Sequence, residues 1–402
     1  MRKFSPDWFR QQFPALNEPN CYLDSAATSL RPQTLIEATQ AYYQSGGTVH
    51  RSHYSQAKAT TERYEACRQQ VAALINAADA NQIIWTRGST EAINLVAQAW
   101  LAHQLQPGDE ILVSEAEHHA NLLPWLMLAE KTGANVVPWP VNVEGELDIA
   151  QLALRLTART RLVAVTQMSN VTGYVPPMAD IIALAHQAGA AVMVDGAQGI
   201  VHHTTDVQHL DADFYVFSAH KLYGPTGIGV LYARKDRLAE MRPVQGGGKM
   251  ISHVDFNGYR LLPAPWCFEP GTPNIAGVLG LASALDFHQT VDWQAAEVWT
   301  CQLADRAAER LATLPGISLF RAAGSPIISF VFESLHSADL FTLISEYNVA
   351  LRVGQHCAQP LMQALGVDGT LRASFAAYNT DEDVEKLVQA VTFAYQLLTD
   401  EE

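Results

Sequence analysis

Short, almost wholly apolar runs recur along the first part of the chain, at 83–85, 111–113, 136–139, 162–165, 190–194, 214–217 and 228–232, and each predicts a strand. Between several of them apolar residues return at helical spacing, over 90–101, 119–130 and 179–187. Strands alternating with helices in this way predict a largely parallel, doubly wound sheet whose strand ends carry the chemistry. The rhythm breaks over 242–273, where Gly246-Gly247-Gly248 and a scatter of prolines predict a long loop of functional use. A helical connector over 275–287 follows, then a second alternation: a helix over 293–313, strands at 327–332, 349–353 and 371–374, and a last helix over 381–398. The expected fold is therefore α/β, a large doubly wound, mainly parallel sheet domain over 21–285 and a smaller α+β C-terminal domain over 286–402. An arm over 1–20 precedes both.

A chain of 402 residues is long enough for two cores, and 48% hydrophobic with 17% charged residues describes a globular protein that buries a large one. The formal net charge of −15 argues against nucleic-acid partners and against docking on anionic lipid. No apolar run reaches the ~18 residues of a membrane-spanning helix, and residues 1–20 lack the apolar centre of a secretory signal, so a cytoplasmic protein is expected. Five cysteines, odd in number and without a CxxC pair, fit reduced thiols rather than a disulfide frame. The 14 histidines form no ligand pattern, so no metal is expected.

The chemistry concentrates at strand ends. The apolar run 190–194 ends in Asp195, with Gln198 one turn later, and the next run ends in Ser218-Ala219-His220-Lys221 before a tight turn at Tyr223-Gly224-Pro225. Taken singly, the acid reads as a turn residue and the Ser-x-His-Lys run as a solvated loop. Taken together, an acid and a lysine at the ends of neighbouring strands suit pyridoxal 5'-phosphate (PLP): the acid keeps the pyridine nitrogen protonated and the lysine forms the Schiff base. Gly88-Ser89-Thr90 opens a helix after 83–85, where small residues let backbone N–H groups and the helix dipole meet a phosphate, or where they simply cap the helix. His118, in Glu117-His118-His119, stands where an imidazole could stack on a planar cofactor and take part in proton transfer. Asn170, after 162–165, reads equally as a cofactor or substrate contact and as an Asx-turn.

In the C-terminal part, Gly354-Gln355-His356-Cys357-Ala358-Gln359-Pro360 sets a cysteine in a short loop between strand and helix. Arg352 and His356 stand close enough in sequence to be expected to activate it, whereas Cys21, Cys67, Cys267 and Cys301 read as inert fillers. Arg372, on a strand, suits a bidentate grip on a carboxylate or an ordinary ion pair.

From Cys21-Tyr22-Leu23-Asp24-Ser25-Ala26-Ala27 to Arg372-Ala373-Ser374-Phe375, nearly the whole chain, these motifs resemble the PLP-dependent class V aminotransferase family of fold type I. Within it they resemble the short-loop cysteine desulfurases, and the run 354–360 is most similar to the cysteine sulfinate desulfinase branch. The resemblance implies PLP on Lys221, its pyridine nitrogen on Asp195, its phenolic oxygen on Gln198 and its ring under His118. It places the phosphate with Ser89, Thr90, Ser218 and His220, and with Thr272 reaching across from a neighbouring subunit, hence a homodimer. Asn170, Arg372, Arg352 and His50 are implied at the substrate, with Cys357, Lys221 and His118 as the catalytic set. The implied activity converts L-cysteine to L-alanine with a persulfide on Cys357, passed to a small acceptor protein with a reactive cysteine; cysteine sulfinate and selenocysteine are further candidate substrates. Ser89 stands where threonine is common in the family and Ala219 where glycine is, so Ala219 is expected to constrain the turn if that position needs a positive φ. The rival readings are a transaminase or kynureninase-like lyase of the same fold, in which Cys357 has no task, and a sulfur carrier that does not turn over.

Overall fold

The structure, a computed structural model, describes residues 3–17 and 20–400. The arm expected over 1–20 therefore falls in part on positions 1, 2, 18 and 19, which lie outside the described residues, as do 401 and 402 at the end of the chain.

Seven strands form the large sheet, in the spatial order Ile83–Thr86, Gly229–Ala233, Phe214–Ser218, Ala191–Asp195, Thr160–Thr166, Glu110–Ser114, Asn135–Trp139. The last five run parallel to one another, while Gly229–Ala233 lies antiparallel to both of its neighbours. Six of the seven strands thus point the same way, and Thr86, Ser114, Thr166, Asp195 and Ser218 all finish at one edge. The central strands are buried on both faces and alternate between two cores. Ala191 and Met193 pack with Ala92, Ile93 and Val96 of the helix Ser89–Ala99, whereas Val192 and Val194 pack with Ile181, Ile182 and Ala185 of the helix Met178–Gln187. The helix Ile275–Thr290 is apolar on nearly every side because it is buried between the sheet core and the helices Gln33–Gln44 and Ser55–Leu74.

A second, antiparallel sheet follows the order Ile317–Phe320, Ile327–Phe332, Thr370–Ser374, Arg352–Gly354, and packs on the helices Trp293–Leu311, Ser337–Glu346 and Asp381–Asp400. The start of the chain ties onto it. Cys21–Tyr22 pairs in parallel with Val349–Ala350, and Ser374 N donates to the carbonyl of Leu23 at 2.7 Å. Ahead of that strap, Phe9 and Phe13 enter an aromatic cluster with Tyr223, Phe287 and Tyr378. Among the described residues no helix is long and apolar enough to cross a membrane.

Four local expectations change. The segment 242–273 is not wholly a loop: Ile251–Asp255 and Gly258–Leu261 form an antiparallel hairpin. Its strands are exposed on both sides and so carry no apolar face from which a period could be read. The single strand expected over 349–353 is two, because Val349–Ala350 pairs with the N-terminal strap and Arg352–Gly354 pairs instead with Thr370–Ser374. Ile317–Phe320 is an additional edge strand, half-buried along its length and too short to register in the pattern. Ala219 sits in a 3₁₀ turn, and the positive φ of this loop falls instead on Tyr223 at 56°.

The aromatic cluster reaches the loop that carries Lys221, since the Phe9 ring lies 5.8 Å from Tyr223 and 5.1 Å from Phe13. Phe9→Ala is expected to lower the unfolding free energy by about 3–5 kcal/mol through the cavity it leaves. Denaturant titration checks this, and an unchanged midpoint would show that the N-terminal helix adds nothing to the core.

Candidate active site

Lys221 is presented by a 3₁₀ turn, Ala219–Lys221, at the end of the strand Phe214–Ser218. The turn is held from outside its own strand. The carbonyl of His220 accepts from Ser29 N at 3.0 Å, Ser29 Oγ at 3.0 Å and Thr28 Oγ1 at 3.2 Å, while Tyr223 N donates to Ser29 Oγ at 2.8 Å. Gly224 must be a glycine here, because a Cβ would stand 2.6 Å from the carbonyl oxygen of Ala219. Asp195 ends the adjacent parallel strand, and its Oδ1 accepts from Ala197 N at 2.9 Å. Burial pushes Asp195 up from the ordinary carboxylate range while the charge of Lys221 pulls it back. Burial likewise pushes the Lys221 amine down to about 8, with Arg372 and Arg352 adding to the effect and Asp195 and Cys357 opposing it. Gln198, one turn after Asp195, donates to the carbonyl of Ala26 at 2.7 Å.

Ser89 and Ser218 form the next part of the edge. Ser89 N donates to Ser218 Oγ at 2.8 Å and the two hydroxyls lie 2.7 Å apart, at the N-terminus of the helix Ser89–Ala99. Gly229 permits this close approach of strands, since a Cβ there would lie 2.4 Å from Gly88 Cα. A cavity of about 1050 Å³ opens at this point and is lined by Ser89, Thr90, Ser218 and His220, so the four phosphate contacts expected from this chain share one space; the chain's own Thr272, expected instead to reach a neighbouring subunit, lines the same cavity. His220 is held neutral, pushed to about 4 by burial and by Lys221, and its Nδ1 lies 3.1 Å from Thr28 Oγ1. His50 is buried against Tyr64, with ring centroids 4.7 Å apart; Tyr64 in turn lines the cavity wall.

The turn after Glu110–Ser114 carries His118. Its Nδ1 accepts from Ala120 N at 3.0 Å, and burial together with Lys221 pushes it down to about 4, so the neutral ring keeps its proton on Nε2. The buried Glu117 fixes this turn to its neighbour by accepting from Thr166 N at 2.7 Å, from Asn121 Nδ2 at 2.6 Å and from Ser114 Oγ. Burial pushes Glu117 up to about 8, and the nearby Asp195 adds to that. This role was not read from the sequence: Ser114 and Asn121 are near neighbours, but the bond from Thr166 that ties the turn to the next strand is long-range. Thr28 and Ser29 were missed because their partner, the His220 carbonyl, is equally distant in sequence.

Arg372 is buried on its strand, donating to the carbonyl of Asn170 at 2.9 Å and to Asp24 Oδ1 at 3.2 Å. Its Nε has no hydrogen-bond partner among the described residues, and burial pushes the guanidinium down to about 10. A buried donor left open in this way is suited to an incoming carboxylate. Asn170 Nδ2 donates to the carbonyl of His356 at 2.9 Å, which ties the Cys357 loop to the same wall. Cys357 is the exposed cysteine of the five; Cys21, Cys67 and Cys267 are buried, Cys301 is half-buried, and burial pushes all four of these thiols up.

The two sequence neighbours expected to activate Cys357 differ in what they bring. Burial and Arg372 hold His356 neutral at about 3, with Nε2 on Thr370 Oγ1 at 2.8 Å, so it brings no positive charge. Arg352 is engaged in a two-point pair with Asp24, at 3.1 and 2.8 Å, and its charge still interacts with Cys357. Among the described residues no group of three or more His, Cys, Asp or Glu side chains converges as metal ligands would.

Residues 21–387 match the family model described as aminotransferase class-V. The chain is 55% identical over 401 residues to the cysteine desulfurase CsdA of Escherichia coli strain K12, with 100% of each covered. The crystal structure of E. coli CsdA in its S-sulfonic acid form is similar with a TM-score of 0.94 at 54% identity, over 98% of this chain and 99% of that one. A mutant of C-DES with glycine covalently linked to its PLP cofactor is similar with a TM-score of 0.83 at 25% identity, over 95% and 98% of the two chains.

A buried amine set against a buried acid makes a chemical prediction. With any cofactor removed, Lys221 is expected to react with an amine-specific acylating reagent with a midpoint near pH 8, well below that of surface lysines. Asp195→Asn removes the charge that holds the lysine up, so the midpoint should fall further. Because the fold disfavours the Lys221 cation, the cofactor-free protein should gain stability as pH rises from about 8 towards the ordinary lysine value. Mass mapping of the acylated peptide across pH checks the first point, and a midpoint in the ordinary lysine range would overturn it.

Proposed function

Because this chain belongs to the class-V aminotransferase family, and because an exposed thiol interacts electrostatically with the lysine of a buried lysine–acid pair, we propose that it works as a PLP-dependent cysteine desulfurase, with Cys357 as the sulfur-accepting residue. The observation that carries the reading is the single electrostatic neighbourhood of Lys221, which contains Asp195, Arg372 and Cys357.

The residues present fit the cofactor. Asp195, a buried carboxylate pushed up by desolvation, gains most from a cation set against it and would pair with the pyridine nitrogen. Gln198 would face the phenolic oxygen, and the neutral ring of His118 would cover the pyridine. Ser89, Thr90, Ser218 and His220 would hold the phosphate beside the N-terminus of the helix Ser89–Ala99. Bound there, PLP supplies an electron sink that makes the substrate α-proton and then its Cβ–S bond labile.

This chain supplies the remaining steps. The Nε of Arg372, otherwise without a partner, binds the substrate carboxylate next to Asn170. Arg352 and His50 lie further out, the first on Asp24 and the second on Tyr64, and would act at the rim. An amine with a pKa of about 8 exchanges its proton readily near neutral pH, so Lys221 takes the α-proton and returns it to carbon. The Cys357 thiolate attacks the substrate sulfur as the Cβ–S bond breaks. Sulfur stays on the enzyme as a persulfide and the three-carbon fragment leaves as L-alanine after gaining protons. Cysteine sulfinate needs no attacking thiol, and selenocysteine would follow the cysteine route.

The same reading includes a homodimer in which Thr272 of the partner subunit completes the phosphate site. It also includes a small acceptor protein with its own reactive cysteine, feeding iron–sulfur assembly in the cytoplasm. We keep the division into an arm over 1–20, a cofactor-binding domain over 21–285 and a C-terminal domain over 286–402 bearing Cys357 and Arg372.

Alanine release from L-cysteine and from L-cysteine sulfinate tests this. Cys357→Ser should bring cysteine turnover to background while keeping most of the sulfinate reaction. Equal loss on both would remove Cys357 from its role. Lys221→Ala should lower both by about 10²–10⁴-fold or more, and full turnover without Lys221 would sink the assignment.

A further inference from the structure

The Cys357 loop enters the short helix Gln359–Ala364, whose N-cap residue is Ala358. Alanine has no side-chain acceptor, so the first amides of this helix must find partners elsewhere. One of them does so across the site: Gln359 N donates to Nε2 of His119 at 3.2 Å. The same residue acts a second time, because His119 N donates to the carbonyl of Cys357 at 2.7 Å. His119 therefore holds the residue on either side of Ala358, once by its ring and once by its backbone. The loop needs such restraint. His356 and Cys357 both have left-handed backbones, with φ of 51° and 56°, which side-chain-bearing residues adopt only when neighbours impose it. Neither residue of the strained pair is held by its own strand: the carbonyl of His356 is taken by Asn170 and that of Cys357 by His119.

We propose that His119 is the positioning residue for the sulfur-accepting thiol: its imidazole supplies the helix cap that Ala358 lacks and so fixes Cys357 over the site. This rests on the desulfurase reading, in which Cys357 attacks the substrate sulfur. His119 acts only through the loop, so it matters for the substrate that needs an attacking thiol and not for the one that does not.

The test uses the loaded enzyme with His119→Ala and His119→Gln, the second keeping an acceptor oxygen near the position of Nε2. Cys357→Ser runs in parallel. His119→Ala should lower L-cysteine turnover about tenfold, the scale of one lost hydrogen bond to a strained loop, and leave sulfinate turnover within about twofold. Alkylation of Cys357 by iodoacetamide and amide exchange at Gln359 should both speed up, and His119→Gln should restore much of all three. Equal losses on both substrates, or a glutamine variant no better than alanine, would overturn the proposal. If Cys357→Ser fails to separate the two substrates, the desulfurase reading fails instead, and unchanged exchange at Gln359 then overturns the cap on its own.

Discussion

Everything at this site depends on a lysine and a carboxylate that finish neighbouring parallel strands and share one desolvated space. The register Asp195 opposite Val216 brings the two strand ends to the same edge, and the next few residues carry Asp195 and Lys221 towards each other. Neither charge is comfortable alone, since burial disfavours the lysine cation and raises the carboxylate. Each partly offsets the other, and the remainder is what a cofactor can use. In the proposed function, a pyridinium set against Asp195 and a cofactor held at Lys221 would both relieve the desolvation that the fold has imposed.

That arrangement requires the surrounding chain to hold fixed a loop that the sheet alone would leave free. Thr28 and Ser29 hold the His220 carbonyl from the N-terminal strap. The strap itself is pinned to Val349–Ala350 through Cys21–Tyr22 and to the second sheet through Ser374. Arg372 closes the circuit by touching Asp24 on the strap and Asn170 on the large sheet at once. Three segments far apart in sequence thus meet around the lysine, and a disturbance of any of them reaches it. The two fixed acceptors offset part of the desolvation of the buried Arg372 guanidinium, while its Nε, without a partner among the described residues, leaves a cost that an incoming carboxylate would relieve.

How much of this was legible depended on the range of the interaction. The strands of the large sheet were readable because double-sided burial leaves uninterrupted apolar runs, and Asp195, Lys221 and Ser89 were readable because each directly follows one. The hairpin Ile251–Asp255/Gly258–Leu261 was not readable, because strands wetted on both sides show no period. Nor was the break at Leu351, which depends on a pairing with residues more than three hundred positions away. The surroundings of Cys357 are the most instructive case. Nearness in sequence suggested that Arg352 and His356 would both charge them; Arg352 does so while paired with Asp24, and burial neutralises His356. Local sequence gives residue types; whether a side chain is charged and free is decided by partners that sequence does not show.

The position of Cys357 follows from these constraints. A thiol proposed to take sulfur from a substrate on Arg372 and then to pass it outward needs two incompatible things: fixed aim and access to solvent. A flexible loop would give access without aim, and a strand would give aim without access. Here Cys357 is exposed, yet it and His356 sit in left-handed conformations costing about 1–2 kcal/mol each, held by Asn170 and His119 from the wall of the large sheet. Access comes from the loop and aim from its supports. The support is local, so in the proposed function a sulfur atom carried there would stay there, and the reach that the loop lacks would come from the acceptor thiol.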